Sequence, residues 1–447
     1  KKIVEFFSFE YSSPHSNRKI IKITPKTIGD FYSSPAYLIE FFEQLSLQGN
    51  TEHHFLITWG HGAGLGLFSE GDLPQIIRKW VASDMGSTIM PTSQNINYYS
   101  DALDFYNRMF SSGAGGYFGS IFPTKAITDY FIQEMNIVFP EDWKDALKSD
   151  FRIIPIEFFV SAFEQTFQRA GKKIEYMYTM NCFMQMFETG YLLRNHVKYF
   201  IGAENFQFFL GPDYDSLFQD LSSQPDVDDI LLREIGNRIV VNYKIKYAKA
   251  EVFEILIRFV PRHATIVHLK EFFLVATDLR RYEKLNEMLN QVAEIFITNK
   301  KLLYPLIRRA RDKCKHISNP NFGIIDIIHF LTQLLEENLQ TPALQTLIHN
   351  IISDIKNPQT MINNTGIPTS LCIPVDFGVL RHCSCPQGIS FFFPKDATKS
   401  EDQRFIDFFM REFYKPDVSN SFTSFLSNSS WASFVRDYFF SDIFRTR

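Results

Sequence analysis

The chain has 447 residues, 45% hydrophobic and 21% charged, with a formal net charge of −4. That is enough apolar material for a sizeable core, in two or three domains or in one large domain with insertions. A general nucleic-acid binder is excluded, since no block of Lys and Arg with interleaved aromatics offsets the acidic balance, and no apolar run reaches the roughly 18 residues needed to span a bilayer.

In chain order, the first part reads as strands Ile3–Phe9 and Lys19–Ile23, helix Ala36–Leu45 and strand Phe55–Trp59. After a gap come helix Pro155–Ala170, strand Ile174–Met180, helix Met184–Arg194 and strand Tyr199–Ala203. Alternation of this kind predicts a parallel α/β sheet with helices on both faces, whose active site lies at the carboxyl ends of the strands. The gap, residues 65–150, is rich in Gly, Ser, Asn and aromatics and has only short helical pieces such as Leu73–Val81. Its run Ser111-Ser-Gly-Ala-Gly-Gly116 is a loop and not a phosphate cradle, because no Gly-Lys-Ser/Thr follows. We read the region as an insertion over or beside the cleft.

Beyond residue 225, apolar spacing of three and four predicts helices Asp226–Tyr247, Leu269–Thr298, Leu302–Ala310, Ile324–Leu339 and Pro342–Ile355. Ala250–Val260 with Ala264–His268, and Ile389–Phe393, read as strands. The tail, Asp396–Arg447, adds amphipathic helices around Phe405–Phe409 and Phe434–Phe440, with faces that pack on the body or hold a partner. The 47 Phe residues recur at core spacing, as in Phe158, Phe159, Phe163 and Phe167, and are read mainly as packing.

Two segments 121 residues apart carry the chemistry: Phe55-Leu-Ile-Thr-Trp-Gly-His61-Gly62-Ala-Gly64, and Ile174-Glu-Tyr-Met-Tyr-Thr-Met-Asn-Cys182 followed by Phe-Met-Gln-Met-Phe-Glu188. Each is an apolar strand delivering a reactive side chain at its end. Taken alone, a Cys is among the most buried residue types and a strand-end His is commonly a satisfied loop residue. Taken together they suggest a nucleophile and its base. A thiol is only a few per cent ionised at neutral pH, and an adjacent imidazole corrects that. Cys182 would attack a carbonyl, and His61 would take the thiol proton and return one to the leaving amine. Gly62 would let a backbone N–H approach the oxyanion.

These segments resemble the clostripain-like cysteine peptidases, relatives of the caspases, legumains and gingipains. Trp59-Gly60-His61-Gly62-Ala63-Gly64 is similar to the family's Trp-x-His-Gly-x-Gly, and Cys182-Phe-Met-Gln-Met-Phe-Glu188 to its Cys-Leu-Met-x-x-x-Glu. Gly202-Ala203-Glu204-Asn205, Gly211-Pro212-Asp213-Tyr214 and Gln387-Gly-Ile-Ser-Phe-Phe-Phe-Pro394 resemble later family segments in the same order. The resemblance implies a caspase-like α/β fold, a parallel-rich sheet with helices on both faces followed by a mostly helical C-terminal region. It implies a catalytic part over residues 1–225, a packed part over 226–395 and a helical tail over 396–447. It further implies a polypeptide substrate, a Cys182 thioester, and oxyanion donors from the Gly62 and Cys182 backbones. Secretion or a cell-surface location is favoured by the same resemblance, although no signal peptide is visible in this chain.

Three departures bear on function. The family's S1 acid two residues before the nucleophile is Met180 here, and a methionine cannot compensate a buried guanidinium. Asp213 leaves a weak Arg/Lys preference open at S1, and an apolar P1 is the competing expectation. The interval between His61 and Cys182 is long; relatives cut themselves there, and Arg78, Lys79, Arg108, Lys125, Lys144 and Lys148 are basic sites for such self-processing. The opening strand looks like the family's second, which implies that the first is left out of this chain.

Five cysteines leave at least one unpaired if disulfides form, and Cys182 is the natural one. No metal is assigned to His382, Cys383 and Cys385, and the chemistry requires no cofactor. Calcium, used by some relatives, is left open, although no loop with its ligand spacing stands out. The alternatives to a peptidase are a catalytically inactive relative kept for binding or scaffolding, and a cysteine transpeptidase.

Overall fold

The computed structural model describes residues 2–10, 19–28, 35–47, 54–59, 61–62, 64, 66–68, 154–181, 183–204, 228–248, 274–314, 323–364, 387–395, 410 and 429–441. Its strands are β1 (Lys2–Glu10), β2 (Lys19–Ile28), β3 (Phe55–Trp59), β4 (His61–Gly62), β5 (Gly66–Phe68), β6 (Ile154–Pro155), β7 (Ile174–Met180), β8 (Val197–Ala203), β9 (Leu274–Asp278), β10 (Ile324–Asp326), β11 (Met361–Asn364) and β12 (Ser390–Phe392). Its helices are α1 (Ala36–Leu47), α2 (Ile156–Phe163), α3 (Phe187–Leu193), α4 (Asp229–Ala248), α5 (Tyr282–Thr298), α6 (Lys300–Lys313), α7 (Ile327–Leu335), α8 (Pro342–Lys356) and α9 (Ser430–Phe439).

A five-stranded sheet in the order β11-β9-β8-β7-β3 forms the centre. β3, β7 and β8 run parallel, whereas β9 is antiparallel to β8 and β11 antiparallel to β9. All seven residues of β7 are buried, as a near-continuous apolar run in the middle of a covered parallel sheet should be. The twofold alternation of a strand divides them between two layers. Tyr176, Tyr178 and Met180 pack with Tyr199 and Ile201 under Leu232, Ile235, Ile239 and Tyr243 of α4. Met177 and Phe200, on the other face, belong to the larger core formed with α1, α2, α3 and α5–α9, which Ile174 joins at the start of the strand.

The expected strand-helix alternation holds through residue 203, with β3 and β7 as neighbours. β1 and β2 pair with each other as a separate antiparallel ribbon and contribute no strand to the central sheet. The helix expected over Leu269–Thr298 is broken: Leu274–Asp278 is a buried sheet strand. Asp278 then accepts a hydrogen bond from Arg280 N, turning the chain so that α5 starts only at Tyr282. Likewise the start of the helix expected over Ile324–Leu339 is β10, paired with β12. The Asp326 side chain accepts from His329 N and caps α7 at Ile327. β11 was not anticipated. The strands expected at 250–268 and the helix around Phe405–Phe409 lie outside the described residues, as do residues 69–153, which make up most of the expected insertion.

The C-terminal helix packs on the body. Trp431, Phe434 and Tyr438 of α9 meet Phe296, Tyr304, Phe391 and Phe393 in ring contacts of 4.8–5.9 Å. Among the described residues, most Phe side chains are therefore core.

Helices α3 and α5 approach closely at Gly190, where a Cβ would overlap the buried Tyr282 ring. Gly190→Ala gains about 1 kcal/mol of helix propensity, but forcing a methyl into this contact costs about 1–3 kcal/mol. Because Tyr282 is held on Thr277 and Gln185, overpacking wins. The expected outcome is a lower urea midpoint with an unchanged m value.

Candidate active site

Hydrogen bonding between β3 and β7 fixes a register in which Phe55 faces Tyr176 and Trp59 faces Met180. The two strands stop level with each other. One residue beyond Met180, the Asn181 carboxamide accepts a hydrogen bond of 2.7 Å from Thr58 Oγ1, tying the strand ends together. His61 and Gly62 form β4, which folds back antiparallel on β5 so that His61 faces Phe68 and Gly62 faces Leu67. β5 pairs in turn with β6 at the foot of α2.

Gly64, two residues past β4, rests on the segment just past Cys182. Gly64 is buried with φ +79°, and a Cβ there would overlap the Met186 sulfur. Its carbonyl accepts 2.8 Å from Thr189 Oγ1 of α3. A glycine meets both demands, a left-handed backbone and zero side-chain volume.

The segment 183–186 is not helical, contrary to the expected start of the helix at Met184; α3 begins at Phe187. Phe183, buried, has φ +60°, an uncommon conformation for a bulky residue and worth of order 1 kcal/mol of strain. Gln185 fastens the stretch leading into α3. Its N–H donates to Ala203 O (2.9 Å), and its carbonyl accepts from Ser390 N (3.0 Å) and Ser390 Oγ (3.1 Å). Its amide donates to Thr277 Oγ1 (3.2 Å) and to the Tyr282 hydroxyl (3.3 Å), a phenol that burial pushes well up from its ordinary pKa. Glu188, at the start of α3, accepts 2.8 Å from Phe392 N of β12.

Of the residues singled out from the sequence, Met180 ends β7, 5% exposed, in the layer beneath α4. Gly62 is buried in β4. His61 is described in its backbone alone, and Cys182 and Asp213 lie outside the described residues. Asn181, Gln185 and Ser390 were missed. Gln185 and Ser390 are separated by 205 residues, and neither residue type signals such a partnership in the sequence. Among the described residues no group of three or more His, Cys, Asp or Glu is placed to hold a metal ion.

The clostripain family's sequence profile matches residues 158–438, more than half of the chain. The chain belongs to the clostripain family. It is a cysteine peptidase, with a polypeptide as its substrate. The family match includes Cys182, Met180 and Asp213 and begins after His61. The chain is similar to a secreted C11 cysteine protease from Bacteroides thetaiotaomicron, "iotapain" (13% identity, TM-score 0.44, covering 81% of this chain and 72% of that one). It is also similar to an inactive zymogen C11 protease from Parabacteroides distasonis (12%, TM-score 0.49, 91% and 81%). A third similar structure is a secreted C11 cysteine protease from B. thetaiotaomicron in complex with an irreversible peptide inhibitor (10%, TM-score 0.47, 97% and 85%). No curated protein matches the sequence. Among the described residues no helix is long and apolar enough to cross a membrane.

Gly64→Ala would put a methyl into the Met186 contact and force a left-handed alanine. A loss of about 1–3 kcal/mol in stability is expected, together with a fall in peptidase activity, read by thermal melting and by turnover of a fluorogenic peptide.

Proposed function

We propose that this clostripain-family peptidase cuts polypeptides with Cys182 as nucleophile and His61 as general base and acid. The observation that supports the pairing most is the seating of Gly64, three residues after His61, on Met186 and Thr189, four and seven residues after Cys182. The level ends of β3 and β7 support it further. In this reading His61 takes the thiol proton, the thiolate attacks the scissile carbonyl, and the Gly62 and Cys182 N–H groups hold the oxyanion. Collapse expels the amine, protonated by His61, and leaves a thioester on Cys182. Water, deprotonated by His61, then releases the acid. Nucleophile, base and oxyanion donors are all protein groups, so these steps need no cofactor, and calcium, if used, acts outside them.

The S1 wall in this reading is Met180 with Asp213. An apolar Met180 side chain disfavours a buried guanidinium, so we assign an apolar P1 preference ahead of a weak Arg/Lys one. We retain the catalytic part as residues 1–225, with an insertion over 65–150, then the 226–395 part and the 396–447 tail. Self-processing within the insertion, and work in a secreted or cell-surface setting, belong to the same proposal. Met180 in place of the family's acid also favours a second reading, a peptidase-like scaffold without turnover.

A fluorogenic peptide library decides between them. Cys182→Ala and His61→Ala are each expected to lower kcat/KM by at least about a thousandfold with unchanged melting behaviour, and a thiol-directed peptide inhibitor should label wild type at Cys182. Turnover surviving in Cys182→Ala would remove the nucleophile assignment, and absence of both turnover and labelling in wild type would leave the scaffold. Incubating the purified chain tests processing: fragments in wild type and a single band in Cys182→Ala are expected.

A further inference from the structure

Building on the assignment of Cys182, we propose that Glu204 and Asp326 share one proton and act as a pair of positioning residues, holding β12 and through it the segment just past the nucleophile. Glu204 is the residue immediately after β8, and Asp326 ends β10; both are completely buried. They hold successive backbone N–H groups, Asp326 that of Gln387 and Glu204 that of Gly388, and Glu204 Oε1 is buried with no donor on it, so the second oxygen of one carboxyl is left to the other. Two carboxyls can bond only if one of them carries a proton. Asp326 has the fuller set of donors: its Oδ1 accepts 2.6 Å from His329 N at the N-terminus of α7, and its Oδ2 accepts 2.8 Å from Gln387 N. Glu204 accepts one backbone N–H, from Gly388 at 3.0 Å, and therefore keeps the proton. Burial first, and the Asp326 charge second, raise the Glu204 pKa well above the carboxylate range.

The groups facing the pair come from several elements. Tyr282 of α5 lies near the Glu204 carboxyl. Cys314, at the end of α6, feels Asp326, and its thiol is pushed up to about 12, chiefly by burial. Glu188 of α3 and Arg311 of α6 bind further along β12, at Phe392 N and at Phe393 O (2.6 Å).

The backbone held by the pair leads to the active site. Gln387 N is on Asp326, Gly388 N on Glu204, the Ile389 carbonyl accepts from Ile327 N, and Ser390 N and Oγ are on the carbonyl of Gln185, three residues past Cys182. Losing the shared proton would set two negative charges against each other in the interior, and the 387–390 turn that both carboxyls anchor is the part free to yield. The folded state keeps a proton that the unfolded chain releases in the ordinary carboxylate range. This stabilisation is therefore complete below that range and is lost as pH rises through the raised folded value.

Glu204→Gln and Glu204→Ala in the full chain test the pair. A glutamine amide donates to Asp326 and accepts from Gly388 N without a proton to lose. Glu204→Gln should keep kcat/KM and the rate of iodoacetamide alkylation mapped to Cys182 within about twofold of wild type near pH 7, whereas Glu204→Ala should lower kcat about tenfold with KM changed by less than about twofold. The melting temperature of wild type should fall, as pH rises above the ordinary carboxylate range, more steeply than that of Glu204→Gln. Glu204→Gln as damaging as Glu204→Ala, or a melting difference independent of pH, overturns the proposal. The melting series does not depend on catalysis, so turnover surviving in Cys182→Ala would refute the nucleophile assignment without touching the shared proton.

Discussion

The parallel hydrogen bonding of β3 to β7 is the constraint on which the rest of the site depends. It joins two segments far apart in the chain, fixes Trp59 opposite Met180, and leaves the residues after each strand at one rim of one sheet. The Thr58–Asn181 bond and the seating of Gly64 on Met186 and Thr189 are consequences of that register, because a slip of one residue would turn every side chain of β7 to the wrong layer. A strand buried on both faces has no tolerance for such a slip.

Around this pair, the protein uses backbone groups more than side-chain charge to fix the residues after Cys182. Gln185 alone reaches β8, β9, α5 and β12. Each of these bonds contributes about 1 kcal/mol at most, but each would leave a buried polar group unsatisfied if broken, which costs more. Phe183 sits in a strained backbone conformation within that frame, and strain of this kind persists only where the surroundings over-determine it.

Local pattern made the first half of the sheet legible. The runs Phe55–Trp59 and Ile174–Met180 are short and rich in aromatic and β-branched residues, which marks them as strands, and the glycines after His61 announce a turn. Gly64 is needed for both its φ and its lack of a Cβ. The second half misled for an identifiable reason. Leu274–Asp278 adjoins a strongly amphipathic helix, and apolar spacing alone does not reveal that Asp278 cuts the two apart by capping a turn. The same device, an Asp ending a short strand and capping a helix, hid β10 before α7. His61 and Cys182 could be proposed from the sequence because reactive side chains at strand ends carry a local signature. Gln185, Ser390 and the Glu204–Asp326 pair could not, because their partnerships join elements that only the tertiary structure brings together.

The docking of α9 has a bearing on biosynthesis. Phe391 and Phe393 find their aromatic neighbours Trp431, Phe434 and Tyr438 in the last helix described, and β12 is the strand that clasps Gln185. While a ribosome still holds residues 429–441, the hydrophobic side of β12 lacks its cover. A nascent chain therefore carries the aromatic side of β12 uncovered until α9 has emerged.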